Sequence, residues 1–260
     1  MGATITAERL AVGGIELEAL RGGSGRKLLL LHGFETIPAD APFLQLLARR
    51  AEIIAPSCPG FGRSERPDDV SHVYDIVRLY LELLEQLGDK VALVGFSFGG
   101  WLAAEIAAAS CHRLDWLVLV DALGLKIGGR EQPDILDIFN THPRDVAPRR
   151  WREPQRWAPD FDTMSDDEII LHARGREALC LYGWQPYMHN PHLKRWLGRI
   201  RVPTLVVWGA QDGIVTPEYG RAYAAQIPGA RFALVAEAGH HPETEQPEAF
   251  ADQVLSFLER

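Results

Sequence analysis

Cysteine is scarce in this chain: Cys58, Cys111 and Cys180 are the only three among 260 residues. An odd set with no paired-thiol or metal-ligand spacing supplies no disulfide framework and no metal site, and it suits a reducing compartment. Basic charge is also short, with 27 Lys and Arg against 35 Asp and Glu and a formal net charge of -8. The basic residues are scattered rather than gathered into a stripe, which argues against nucleic acid as a partner. No apolar run approaches the roughly 18 residues of a membrane span. The opening residues MGATITAERLAVGG lack the basic-then-apolar layout of a secretory signal. The expectation is a cytoplasmic enzyme acting on a small-molecule substrate, without a membrane partner; nothing in the sequence marks its oligomeric state.

What is present is a set of short apolar runs. Residues 3–11 and 14–20 flank Gly13 and Gly14 and read as an opening hairpin. Then come Leu28–Leu31, Ile53–Ala55, Val91–Val94, Trp116–Val120, Leu205–Trp208 and Phe232–Val235. Runs this short without alternation suit strands buried on both faces of a parallel sheet. Helical patterns fall between them at about 42–50, 72–87, 98–110, 217–227 and 247–259. The fold class expected is α/β, a doubly wound, mostly parallel eight-stranded sheet. From 122 to 196 no strand pattern appears, and Ser165 with Glu168 resembles a capping box. That stretch is expected to be a helical cap inserted into a core domain formed by residues 1–121 and 197–260.

Gly95-Phe96-Ser97-Phe98-Gly99 matches G-x-S-x-G, with a strand pattern before it and a helical pattern after it. A serine hydroxyl is a weak nucleophile near neutral pH and needs a base, which in turn needs a partner to fix its tautomer. In the chain order Ser, acid, His, the residues just past later strands are Asp212 and His240. Asp121, also at a strand end, is the rival acid, and His241 is the rival base. Backbone N–H groups of Phe34, after His32-Gly33, and of Phe98 are the expected oxyanion donors. The remaining histidines, His32 among them, read as solvated loop residues. Phe139, Trp184 and Tyr187 read as pocket lining or cap core. Glu35 either holds a polar substrate group or faces water.

Taken together, Leu31-His32-Gly33-Phe34, Pro59 through Ser64, Gly95 through Gly100, Pro203 through Asp212 and Gly239-His240 resemble the α/β-hydrolase fold family over nearly the whole chain. The resemblance implies a cofactor-free hydrolase with nucleophile, acid and base at Ser97, Asp212 and His240. It argues against dehalogenase and epoxide hydrolase relatives, which carry an aspartate where Ser97 stands. Within the family the chain is similar to small carboxylesterases, to hydrolases that cleave carbon–carbon bonds in aromatic ring-fission products, and to cofactor-free perhydrolases. The carbon–carbon group usually carries an aromatic residue directly after the histidine, where this chain has His241. That chemistry also calls for a cationic cap residue facing the pocket, and Arg174, Arg176 and Lys194 are the cap residues considered for it. The ester reading asks less of the site and leads; carbon–carbon cleavage is the alternative. A ligand-sensing protein that keeps the triad is the reading from another class.

Overall fold

The computed structural model describes residues 4–129 and 131–259; residues 1–3 and 260 of the expected core segments, and Arg130 of the expected insertion, lie outside the described residues. The strands are β1 (Ile5–Val12), β2 (Ile15–Gly23), β3 (Arg26–Leu31), β4 (Ala51–Pro56), β5 (Val91–Phe96), β6 (Leu114–Val120), β7 (Thr204–Gly209) and β8 (Arg231–Val235). They form one eight-stranded sheet in the order β1-β2-β4-β3-β5-β6-β7-β8. β1 pairs antiparallel with β2, and β2 antiparallel with β4; every later pairing is parallel.

Four consecutive leucines in β3 are all fully buried because the sheet is covered on both faces. Leu29 and Leu31 point into one apolar cluster and Leu28 and Leu30 into the other. β7 repeats the alternation, with Val206 and Trp208 on the first side and Leu205 and Val207 on the second. Each leucine removed from water contributes about 2 kcal/mol, so a polar residue at any of these positions would be costly.

The helices are α1 (Pro42–Ala48), α2 (Val73–Leu87), α3 (Phe98–Ala109), α4 (Pro143–Arg150), α5 (Pro154–Trp157), α6 (Asp166–Gly183), α7 (Leu193–Trp196), α8 (Pro217–Ala224), α9 (Pro242–Glu245) and α10 (Pro247–Leu258). α2, α3 and α8 supply buried residues to the first cluster, and α1 and α10 to the second. α4 to α7 all lie between β6 and β7, where no strand pattern was legible. The capping box expected at Ser165 is formed: the Ser165 hydroxyl accepts from the Glu168 N–H, and Glu168 accepts from the Ser165 N–H. No helix among the described residues is long and apolar enough to cross a membrane.

Strand order reverses beside β3, since β4 lies on one side of it and β5 on the other. In open α/β sheets such a reversal leaves a crevice outside the carboxyl ends of the strands, where ligands bind. The loops leaving β3 and β5 carry Gly33-Phe34 and Ser97.

Candidate active site

Ser97 lies between the last residue of β5 and the first residue of α3, with φ 49° and ψ −112°. A non-glycine residue in that region is strained by about 1–3 kcal/mol and persists only where its surroundings impose it. Here the Ser97 N–H donates to Val120 O at 2.8 Å, and its carbonyl accepts from both Trp101 and Leu123 N–H at 3.1 Å. Gly99 is required by close approach: a Cβ there would meet Leu31 O at 2.1 Å. The turn therefore presses α3 against the end of β3.

Asp212 and His240 follow β7 and β8. Asp212 Oδ1 accepts from the N–H of Ile214 and Val215 at 2.8 and 3.1 Å, and Oδ2 lies 2.7 Å from His240 Nδ1. The His240 Nε2 is 2.8 Å from Ser97 Oγ. With Nδ1–H donated to the carboxylate, the tautomer assigned by this partner leaves an Nε2 lone pair for the serine proton. Ser97, Asp212 and His240 are all buried. The chain can therefore move a proton from hydroxyl to imidazole and hold the imidazolium beside a carboxylate. His240 N–H donates to Arg150 O at 2.7 Å, and Gly213 N–H to Arg149 O at 2.9 Å, so the end of α4 is hydrogen-bonded to both loops.

The rival acid and base have other partners. Asp121 Oδ1 accepts from Gly209 N–H at 2.9 Å, and burial together with the Asp212 charge raises its carboxyl well above the usual range. Side-chain ligand atoms of Asp121, Asp212 and His240 lie within 4.8 Å of one another, but the His240–Asp212 separation of 2.7 Å is that of a hydrogen bond. His241 stacks on Trp151 with centroids 4.4 Å apart, and its Nδ1 lies 3.1 Å from Glu243 Oε1.

Phe98 opens α3, so its N–H has no intrahelical partner. Gly33, preceding Phe34, is close enough to the nucleophile that a Cβ on it would lie 3.1 Å from Ser97 Cβ. His32 departs from the solvated reading: it is buried, accepts Cys58 N–H at Nε2 and bonds Gly33 O through Nδ1, each at 2.8 Å. Burial pushes its imidazole down to about 4, so it is neutral and fixes the loop.

Of the three aromatic residues expected in the pocket, Tyr187 lines the narrow space of about 20 Å³ above Ser97 and His240, together with Phe34, Leu179 and Arg150. Its hydroxyl is held by Leu136 O and Ile138 N–H, both at 2.8 Å. Phe139 packs edge-on against Tyr187. Trp184 corrects the expectation: it is 58% exposed at the end of α6, with its ring 6.1 Å from that of Phe139. A groove of about 670 Å³ lined by Lys126, Asp134 and His189 includes none of Ser97, Asp212 and His240.

The cation missed in the sequence is Arg150, the last residue of α4. It is buried, its Nη1 lies 2.7 Å from Glu35 Oε1, and its guanidinium sits 5.1 Å from the Phe34 ring. Its Nε is buried with no hydrogen-bond partner among the described residues. Arg174 instead reaches Ser64 O, Arg176 lies over Phe139, and Lys194 is exposed. Glu35 is thus paired rather than merely facing water. Burial raises its carboxyl, but Arg150, with His241 and His172, outweighs that and holds it below the usual value. Arg150, Phe34 and Trp151 also line a cavity of about 310 Å³, together with Phe161 and His172. On the other side, a cavity of about 220 Å³ runs from Ser97 and His240 to Glu35, Trp151, His241 and Glu243.

The chain is similar to known proteins over nearly its whole length. The chain is 33% identical over 99% of its length to part of the polyketide synthase ThaQ of Burkholderia thailandensis, of which it spans 13%. It is 26% identical to the 2-hydroxy-6-oxo-6-(2'-aminophenyl)hexa-2,4-dienoic acid hydrolase of Metapseudomonas resinovorans, covering 95% of this chain and 89% of that one. A thermophilic esterase from Thermogutta terrifontis superposes with a TM-score of 0.76 at 24% identity, over 98% of both chains. Residues 28–253 match the family described as the alpha/beta hydrolase family. A match over that span, from the strand before Gly33 to the last helix, establishes that this chain is a hydrolase belonging to the alpha/beta hydrolase family.

Proposed function

We propose that the chain hydrolyses the carbon–carbon bond of a 2-hydroxy-6-oxo-dienoate. The observation that carries this reading is Arg150, a buried guanidinium at the space above Ser97 with an unpartnered Nε. A dienoic acid of the kind named for the Metapseudomonas relative has no ester or amide, so its hydrolysis breaks a carbon–carbon bond. A charged donor that meets the substrate carboxylate orients it and stabilises the charge that builds up as the bond breaks.

In the keto tautomer, Ser97 Oγ attacks the 6-oxo carbon as its proton passes to His240 Nε2. The oxyanion accepts the N–H groups of Phe34 and Phe98. The carbon–carbon bond then breaks, its electron pair delocalised on to the 2-oxo oxygen, and His240 returns the proton to the departing carbon. Asp212 holds the imidazole in the required tautomer throughout. Water, deprotonated by His240, next cleaves the acyl–Ser97 ester and releases a carboxylic acid.

Ester hydrolysis is the second reading, favoured by two observations. Glu35 already takes one donor of Arg150, and His241 stands where the carbon–carbon hydrolases usually carry an aromatic residue. The deciding experiment compares purified protein on a 2-hydroxy-6-oxo-6-aryl dienoate and on p-nitrophenyl esters of increasing chain length. We expect kcat/KM for the dienoate to exceed the best ester by about a hundredfold or more, and both to be lost in Ser97→Ala. The opposite ranking would assign the ester reaction.

A further inference from the structure

The cavity of about 220 Å³ beside Ser97 has a polar end that the triad does not use. Four of its lining residues each carry a buried polar atom with no hydrogen-bond partner among the described residues: Glu35 Oε2, Trp151 Nε1, His241 Nε2 and Glu243 Oε2. Buried polar groups in native proteins are nearly always paired, and two of these atoms, Glu35 Oε2 and His241 Nε2, lie near enough to each other to be completed by one ligand group. His241, Trp151 and Glu243 are each more than nine-tenths buried. Glu35 is 35% exposed at its side chain, but its Oε2 is not.

We propose that this wall is a substrate subsite for a neutral hydroxyl group, which donates to Glu35 Oε2 and accepts from His241 Nε2–H. Those two atoms lie 4.0 Å apart, too far for a direct hydrogen bond and close enough for one oxygen to bridge. The stack on Trp151 fixes the His241 ring in place. The proton inventory agrees with the roles. Burial raises the Glu243 carboxyl to about 8 and lowers the His241 imidazole to about 3. Near neutral pH a protonated Glu243 therefore donates to His241 Nδ1, which leaves the imidazole proton on Nε2, facing Glu35.

The charges select the ligand class. Arg150 and Glu35 cancel, and His241 and Glu243 are neutral, so the wall has no net charge to offer. A carboxylate at this end would lie against Glu35, and an ammonium would share Glu35 with Arg150. A hydroxyl matches one acceptor and one donor and brings no charge. The inference rests on Ser97 as nucleophile and holds whichever bond is cut, because it concerns the part of the substrate that enters this arm of the site.

The test uses two fluorophosphonates that differ only at the end of a short alkyl chain, one ending in methyl and one in hydroxyl. Labelling of Ser97 is followed by mass spectrometry as a second-order rate constant. The hydroxyl probe is expected to label the wild type about tenfold faster than the methyl probe. That preference should vanish in His241→Phe, which keeps the ring stack, and in Glu35→Leu, but persist in part in Glu35→Gln, which keeps an acceptor. Equal rates for the two probes in the wild type overturn the subsite while leaving Ser97 as nucleophile. Failure of both probes to label Ser97 overturns the nucleophile assignment and the subsite with it. The wild-type comparison stands even if a variant fails to fold.

Discussion

Asp121 and Asp212 share one end of the site but have different partners: Asp121 accepts from the Gly209 N–H, and Asp212 lies 2.7 Å from His240 Nδ1. Burial and the charge of Asp212 raise the Asp121 carboxyl well above the usual range, whereas Asp212 receives two backbone N–H groups and the His240 imidazole. Of the two, Asp212 is the one hydrogen-bonded to His240. Asp212→Asn is expected to lower kcat by about three to four decades, as loss of the correct tautomer does in a serine protease triad. Asp121→Asn should cost about tenfold or less, since the Asp121 carboxyl is bonded to the Gly209 N–H and an amide oxygen keeps that bond. Steady-state kinetics on a common aryl ester ranks them, and the reverse order would move the acid to the end of β6.

Arg150 separates the two chemistries. Arg150→Met should reduce kcat/KM for a ring-fission dienoate by about a hundredfold, the effect of losing a charged donor to a carboxylate, but reduce aryl ester turnover by about tenfold or less. Equal losses on both substrates would show that Arg150 only supports the fold around Glu35.

Glu243 gives a pH signature in stability. Its carboxyl stands at about 8 when folded, above the ordinary value of 4.5, so the folded state binds the extra proton. Its contribution is complete below the unfolded value and is lost as pH rises through about 8. Thermal melts of Glu243→Gln should therefore gain on the wild type by a few degrees between about pH 5 and 9. A difference in melting temperature that does not change with pH would contradict the raised carboxyl.

Two glycine substitutions distinguish folding from chemistry. Gly99→Ala places a Cβ 2.1 Å from a β3 carbonyl oxygen, which forces backbone apart, and should destabilise by about 3 kcal/mol in chemical denaturation. In Gly33→Ala the new Cβ meets Ser97 Cβ at 3.1 Å, tighter than an ordinary contact, so the loop or the serine must give by a few tenths of an ångström. That variant should stay folded and lose about tenfold to a hundredfold in kcat by displacing the oxyanion loop. Near-wild-type kcat would remove Phe34 from consideration as a donor.

The strand-turn-helix at Ser97 and the loops carrying Asp212 and His240 were legible because short apolar runs locate strand ends and the chemistry of this fold sits just past them. The sheet was legible for the same reason, since continuous leucines in β3 need cover on both faces. Arg150 was not. It lies in Pro143–Arg150, a helix with an internal proline and a polar sequence, and nothing local marks its guanidinium as buried. Its burial comes from Glu35 and Phe34, more than a hundred residues earlier in the chain. His241 and Glu243 were hidden similarly, because their protonation depends on the walls around them. Trp184 was misread in the other direction: a large aromatic residue suggests lining, but the end of α6 sets which way it faces.

The two hydrogen bonds from the end of α4, Arg150 O to His240 N–H and Arg149 O to Gly213 N–H, make the segment above the site part of its frame. Local unfolding of that segment would release the loops of the base and the acid in the same event, so it cannot lift away and leave a working triad behind. Amide hydrogen exchange at His240 and Gly213 would then report on the opening of a helix far away in sequence, and the three sites would share one protection free energy.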